Sequence, residues 1–393
     1  SQVILSAGDA EGSLQLRDLW TGTLLSSYKQ YASALPASVA LVASPKAGSL
    51  PRSLLTLPTT KPMIHAYALY KDQPTLRISA PEKLVAITTS VKGTFCAAAS
   101  PEGRIHLWDL ASGELLVSWI AHYRTIRALA FTDDEICLVS AGEDATVNVW
   151  SLSTIIRLSS SSSSAPKPLH TWTDHSLPVM ALSLSSGPHT HARVFTCSLD
   201  QTVKVWSIST GLLLGSLLFP MPLHTLALAP TELAVYVAGP RRPGEVLRAD
   251  LHRLRSHPQY PSVMRSIMQG KSGNDVVGIG LDQSVDTVQP AIYPITSSTA
   301  TSSSSSSSPI TIPSLALSLD GTMLVGGCSD GSLRIWDTTS RQLLRSILVN
   351  KGPIHALHTF LVDPADLMSP AKPKSQIPGP VPLQRSIRPG KED

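Results

Sequence analysis

The sequence predicts an all-β fold, a seven-bladed β-propeller, and three observations carry that reading. A short pattern recurs in one register: an acidic residue, a turn, β-forming residues at the third and fifth positions after the acid, and a Trp at the sixth. Ser329-Asp330-Gly331-Ser332-Leu333-Arg334-Ile335-Trp336-Asp337 is the fullest copy. Others end at Trp206 (acid Asp200), Trp150 (Asp144) and Trp108 (Glu102), and a fifth begins at Glu11 with Arg17 in the Trp position. The spacing is the second observation. Trp108 and Trp150 are 42 residues apart, within the window of about 40–45 expected of a four-stranded blade. The third is a count: without its serine tract, its long insertion and its tail, the chain has room for seven repeats of about 42 residues.

The elements follow in order. Val3-Ile4-Leu5-Ser6 reads as a second strand, so the first blade opens without its innermost one. Arg17 and Tyr67 mark the third-strand ends of blades one and two, the latter assigned by spacing and alternation alone. Before Trp150, Ile126 to Phe131 and Ile136 to Ser140 are short alternating strands separated by Asp133-Asp134. Before Trp206 come Val179 to Leu184 and Val194 to Ser198. The interval from Trp150 to Trp206 is 56 residues, with the Ser-rich loop 159–168 as the expected excess. Blade six ends near Arg248, again by spacing.

The 130 residues from Trp206 to Trp336 require an insertion, placed at 252–309. It holds the low-complexity run Ser302 to Ser308. Part of it is expected to supply the outer strand of the blade ending at Trp336. No segment has a sustained 3.6-residue apolar period, so helix should be scarce and confined to the insertion, around Ser262 to Gln269. Pro353 to Phe360 has the pattern of the strand missing from blade one, which a propeller needs to avoid open edges. The propeller is thus expected over 1–363. The segment 364–393 is Pro-rich and basic and is expected to be disordered, with nothing to pack.

Composition is that of a globular chain, with 42% hydrophobic and 15% charged residues. A net charge of +4 permits an acidic partner without requiring one. The longest apolar runs are too short for a helical membrane span, and the N-terminus, with Asp9 and Glu11, is unlike a secretory signal. Cys96, Cys137, Cys197 and Cys328 fall in different repeats, out of disulfide range of one another. They read as reduced, buried residues of an intracellular protein.

These motifs resemble the WD40-repeat propeller family. The resemblance implies that a His, a Ser or Thr, an Asp and a Trp hydrogen-bond within a blade. Those sets would be His122, Ser140, Asp144 and Trp150, and His175, Thr196, Asp200 and Trp206, with Asp330 and Trp336 in the last blade. Such Ser, His and Asp residues invite a hydrolase reading, but repetition around a ring assigns them to the scaffold.

Gly327-Cys328-Ser329-Asp330-Gly331 matches a nucleophile elbow, yet a strand follows instead of the required helix. Gly270-Lys271-Ser272 lacks the first Gly of a phosphate loop, since Arg265 stands there. His189 and His191 form an isolated pair, short of a metal-ligand set. No catalytic residue, metal or cofactor is therefore expected. Arg241, Arg242, Arg248, Arg253 and Arg255 are basic and are weighed as contacts for RNA phosphate or an acidic partner. The bland reading, a solvated blade edge, is favoured about two to one because no aromatics lie nearby to stack bases.

A narrower resemblance rests on Arg341-Gln342-Leu343-Leu344-Arg345, Lys351-Gly352-Pro353-Ile354 and Phe360-Leu361-Val362-Asp363-Pro364. These look like the IPI-type WD40 subunit of pre-60S ribosome assembly. That resemblance implies a non-catalytic scaffold in the nucleus (nucleolus and nucleoplasm), acting in pre-rRNA processing. Its implied partners are other assembly proteins, including a larger helical scaffold subunit and, through the complex, an AAA ATPase, with weak rRNA contact and no membrane. A second reading is a peptide reader or substrate receptor in a chromatin or ubiquitin-ligase complex. The subgroup also carries a C-terminal helical segment for self-association, whereas the sequence here runs Pro- and Gly-rich to Asp393 without heptads.

Overall fold

The computed structural model describes residues 2–8, 14–29, 31, 35–42, 51, 53–58, 61–69, 71–159, 166–240, 244–251, 310–362 and 383. They form seven antiparallel sheets arranged as a propeller. Blade one holds β1 (Gln2–Gly8), β2 (Leu14–Asp18) and β3 (Leu24–Tyr28). Blade two holds β4 (Val39–Val42), β5 (Ser53–Thr56), β6 (Met63–Tyr67) and β7 (Leu76–Ser79). Blade three is β8 (Ala86–Thr89), β9 (Phe95–Ala99), β10 (Arg104–Asp109) and β11 (Leu115–Ile120). Blade four is β12 (Ile126–Phe131), β13 (Cys137–Gly142), β14 (Val147–Ser151) and, after α1 (Leu152–Ser159), β15 (His170–Trp172).

Blade five is β16 (Val179–Leu184), β17 (Arg193–Ser198), β18 (Thr202–Ser207) and β19 (Leu213–Leu218). Blade six has three strands among the described residues: β20 (Thr225–Leu228), β21 (Ala234–Ala238) and β22 (Val246–Asp250). Blade seven is β23 (Ser314–Leu317), β24 (Met323–Gly327), β25 (Ser332–Asp337) and β26 (Leu343–Leu348). The chain then returns as β27 (Ile354–Leu361), which pairs antiparallel with β1 from Gln2↔Leu361 to Gly8↔Ile354. The C-terminal strand thus completes the N-terminal blade, as its sequence pattern implied.

Strand pleat explains the repeated motif. Side chains alternate between the two faces of a strand, and each blade is buried on both faces by its neighbours. Val147 and Val149 of β14 pack into the seam with blade five, while Trp150 packs into the seam with blade three. The same division holds for Ile105 and Leu107 against Trp108, and for Leu333 and Ile335 against Trp336. Each motif therefore stitches three blades together. Its turn also needs a left-handed residue at the position following the acid, filled by Gly103, Ala145, Gln201 and Gly331 with φ of 81°, 63°, 69° and 80°. At Gly331 a Cβ would lie 2.0 Å from the Asn350 carbonyl oxygen, so close approach as well as φ selects glycine.

Four expectations are corrected. Helix is not confined to the insertion: α1 lies directly after β14, burying Leu152 and Ile155 in the seam between blades three and four. An eight-residue helix is too short to show a sustained period, and it shares the Trp150–Trp206 excess with the serine tract. The outer strand of the blade ending at Trp336 is β26, from the sequence after that Trp, because an antiparallel hairpin supplies the neighbour locally. The expectation that the tail has nothing to pack against fails at Leu383, which is buried against blades two and three. Asp330 and Trp336 belong to no complete hydrogen-bonded set, for the reason given below. The proposed helix at Ser262 to Gln269 and the rest of 252–309 lie outside the described residues.

Candidate functional site: blade networks and the central channel

In blade four the indole Nε1 of Trp150 donates to Ser140 Oγ at 2.9 Å, and Ser140 Oγ lies 2.8 Å from His122 Nε2. His122 Nδ1 is 3.1 Å from both carboxylate oxygens of Asp144. One set of proton positions satisfies every link: indole N–H to hydroxyl oxygen, hydroxyl O–H to Nε2, and Nδ1–H to carboxylate. Asp144 also accepts from the backbone N–H of Tyr123 and Thr146. Burial pushes its carboxyl pKa up, but the His122 and Thr146 hydrogen bonds outweigh it and bring it down to about 2.

Blade five repeats the arrangement. Trp206 Nε1 donates to Thr196 Oγ1 at 3.0 Å, which is 2.8 Å from His175 Nε2, and His175 Nδ1 is 2.8 Å from Asp200. Opposed again by burial, hydrogen bonds from His175 and Thr202 lower Asp200 to about 2.

Blade three carries a pair that the motif search missed. Glu82 stands four residues before β8, the offset that His122 has from β12 and His175 from β16. Its carboxylate lies 2.8 Å from Nε2 of His106, which sits on β10 two residues before Trp108. The acid stands where blades four and five have the imidazole, while His106 takes the β-strand position of Asn148 and Lys204 and Glu102 keeps the place of the motif acid. Burial lowers the His106 pKa, against the opposing pull of Glu82. The offset from the first strand was a readable signal for Glu82; its residue type hid it.

In blade seven Asp330 accepts from the Ser332 backbone N–H at 2.9 Å and hydroxyl at 2.6 Å, and faces Arg334 at 3.5 Å. The register that places Ser140 opposite Asn148, and Thr196 opposite Lys204, places Gly326 opposite Arg334. With glycine there, no hydroxyl can link the Trp336 indole to an imidazole.

The residues that had suggested chemistry are engaged elsewhere. Ser329 Oγ accepts the Thr311 backbone N–H at 2.9 Å, and β25 follows it. His189 pairs through Nδ1 with Asp134 at 2.6 Å, joining loops of blades four and five. Among the described residues no group of three or more His, Cys, Asp and Glu side chains could hold a metal ion. The four cysteines are buried and free, and burial raises their thiol pKa values to about 11 or 12. Arg248 reaches Asp250 at 2.8 Å and the Thr338 carbonyl at 3.2 Å, so it bridges blades six and seven. Arg241, Arg242, Arg253 and Arg255 lie outside the described residues, as do Gly270, Lys271 and Ser272.

The inner strands surround a central channel of about 420 Å³ to which all seven blades contribute. Arg127, His224, His355 and His358 line it, and among the described residues no carboxylate does. Arg127 is held by Glu143, its Nε 2.6 Å from the carboxylate. His358 donates to the Val39 carbonyl at 3.1 Å, joining blades one and two, and burial lowers its pKa. Burial and the charge of Arg127 lower the His224 pKa.

Comparison with known proteins agrees with this geometry. The model described as WD domain, G-beta repeat, matches residues 166–207 and 298–337, and one described as WDR54 matches 74–161. The chain is 27% identical to the pre-rRNA-processing protein crb3/ipi3 of Schizosaccharomyces pombe, over 86% of this chain and 72% of that protein. It is 32% identical to the pre-rRNA-processing protein IPI3 of Yarrowia lipolytica, over 84% of this chain and 69% of that protein. It is 30% identical to human WD repeat-containing protein 18, over 83% of this chain and 66% of that protein. With the propeller, the blade networks and these relatives together, the chain belongs to the IPI3 family of WD40-repeat proteins.

Proposed function

We propose that this protein is a non-catalytic scaffold subunit in pre-rRNA processing and pre-60S particle maturation, working in the nucleolus and nucleoplasm. The observation that carries the reading is similarity to pre-rRNA-processing proteins along 84–86% of the chain. The physical chemistry supports it. His122, Asp144, Ser140, His175, Asp200 and Thr196 spend their hydrogen-bonding capacity within their own blades, so they act as internal ties. A ring rigidified in this way presents its loops at fixed angles, and binding energy then comes from side chains on those loops.

The partners we propose are ribosome-assembly proteins, including a larger helical scaffold subunit and, through the complex, an AAA ATPase. They would dock on the rims and on the segment 252–309, with weak basic contacts to rRNA. A channel lined by Arg127 and three histidines favours a second reading, a receptor that takes a short peptide at the channel mouth. Affinity purification of the tagged protein from its own cells, with mass spectrometry and RNA analysis, separates the two. Large-subunit assembly factors and precursor rRNA are expected. Recovery of ubiquitin-ligase or chromatin proteins in their place would overturn the scaffold reading and direct attention to the channel.

A further inference from the structure

The innermost strands of the seven blades run side by side in one direction, so their first residues share one mouth of the central channel. Three of these strands open with an extra residue. In β12, Ile126 is opposite Gly142 and Ala128 is opposite Ala141, which makes Arg127 the extra one. In β27 the extra residue is His355, between Ile354 opposite Gly8 and Ala356 opposite Ala7. In β16 it is Met180, between Val179 opposite Ser198 and Ala181 opposite Cys197. A bulge of this kind re-aims the side chain of the added residue, and all three side chains line the channel. His224, directly before β20, lines it at the same mouth.

We propose that this mouth is a binding site for a phosphate group. Its donors come from blades four, six and one, on different sides of the ring. Glu143, which does not line the channel, takes Nε and Nη2 of Arg127 and so fixes the plane of the guanidinium. Among the described residues neither Nη1 of Arg127 nor the His224 imidazole makes a hydrogen bond. Burial and then the charge of Arg127 lower the His224 pKa, so the two groups sense each other across blade five. A tetrahedral oxyanion presents acceptor oxygens to donors on every side. A carboxylate presents two in one plane, and the Nε and Nη2 edge that would pair with it side-on is already held by Glu143. About 420 Å³ admits a phosphate and a short chain that carries it. A nucleobase would find nothing to stack on, because among the described residues no Phe, Tyr or Trp lines the channel. The site stands apart from whatever the rims and loops bind.

The test is phosphorus NMR of inorganic phosphate titrated with the full chain at constant ionic strength, with acetate as the competing carboxylate. The phosphate line should broaden, and acetate at equal concentration should not reverse it. Arg127→Ala should weaken binding at least about tenfold, as expected for losing a hydrogen bond to a charged group. His224→Gln and His355→Gln should each weaken it several-fold. Arg77→Ala, an exposed position on the outer strand β7, should leave it unchanged. Circular dichroism reports whether each variant is folded. If Arg127→Ala unfolds because Glu143 loses its partner, His224→Gln still decides the matter, since His224 is exposed and tied to no other side chain among the described residues. A glycine-flanked phosphoserine peptide and its serine counterpart identify the source. Displacement of phosphate by the phosphorylated peptide at lower concentration than by phosphate itself points to a modified side chain, and displacement at the same concentration to a free phosphate. Unchanged binding in folded Arg127→Ala and His224→Gln, or displacement by acetate or the serine peptide as readily as by phosphate, would overturn the proposal.

Discussion

Trp150 and His122 share one hydroxyl: Ser140 Oγ accepts the indole N–H at 2.9 Å and lies 2.8 Å from the imidazole Nε2. Two strands of blade four, β13 and β14, and its entry loop are joined through that oxygen, which is fully buried. In Ser140→Ala two buried polar groups lose their partner at once, and each such loss costs about 1–3 kcal/mol. Ser140→Thr should be near neutral, because Thr196 plays the same part in blade five with the same distances to within 0.1 Å. Urea unfolding of the two variants checks this: the midpoint should fall markedly for alanine and little for threonine.

The paired aspartates set how the fold responds to acid. Asp144 and Asp200 titrate near 2 in the folded chain, whereas an aspartate in an unfolded chain titrates near about 3.9. Between these values the unfolded chain binds protons that the folded chain does not, so acid favours unfolding. Their contribution is complete above about pH 4 and is lost as pH falls through about 2. Denaturant titrations from pH 6 to pH 2 should show this decline, and the double variant Asp144→Asn/Asp200→Asn should be less stable at pH 6 with a shallower slope.

The Glu82–His106 pair makes a different claim, that a carboxylate in the entry loop and an imidazole on β10 tie blade three together. His106 is 3% exposed in its side chain and Glu82 28%, so the imidazole depends on the carboxylate as its Nε2 partner. Glu82→Ala should cost about 1–3 kcal/mol by orphaning that nitrogen. His106→Ala alone creates a cavity, but a double-mutant cycle removes that contribution. A coupling energy of at least about 0.5 kcal/mol is expected; values near zero would make Glu82 a surface carboxylate with no structural part.

What could be read from the sequence follows the local character of each signal. The acid-to-Trp motif is a hairpin with fixed spacing, so Trp108, Trp150, Trp206 and Trp336 disclosed their blades, and β27 was legible because Ile354 to Phe360 alternates like an inner strand. The imidazole partners in blades four and five lie 22 and 25 residues from their aspartates, and only the family resemblance pointed to them. Glu82–His106 escaped because Glu82 has the wrong residue type at the imidazole's offset and His106 lies at a strand position outside the motif. Leu383 escaped for a stronger reason. The residues it packs with, among them Ala40, Ile64, Ala98 and Trp108, come together only when two blades pack, and no local pattern around residue 383 reports it.

Gly326 shows why the network cannot simply be restored where it is missing. By register it occupies the place of Ser140 and Thr196, so Gly326→Ser would nominally give Trp336 its hydroxyl. A Cβ at Gly326, however, would come within 2.7 Å of Trp336 Cζ3 and 2.9 Å of its Cη2. The Trp336 ring is fully buried in the seam between blades six and seven, beside Tyr236, Ile312 and Leu324, and it has no room to retreat. Overpacking of this kind costs about 1–3 kcal/mol, more than one added hydrogen bond returns at about 1 kcal/mol. Gly326→Ser is therefore expected to lower the thermal midpoint, and Gly326→Ala to lower it at least as much. A rise in midpoint for the serine variant would mean that the ring shifts to accept the hydroxyl, and that blade seven is held less tightly than its packing indicates.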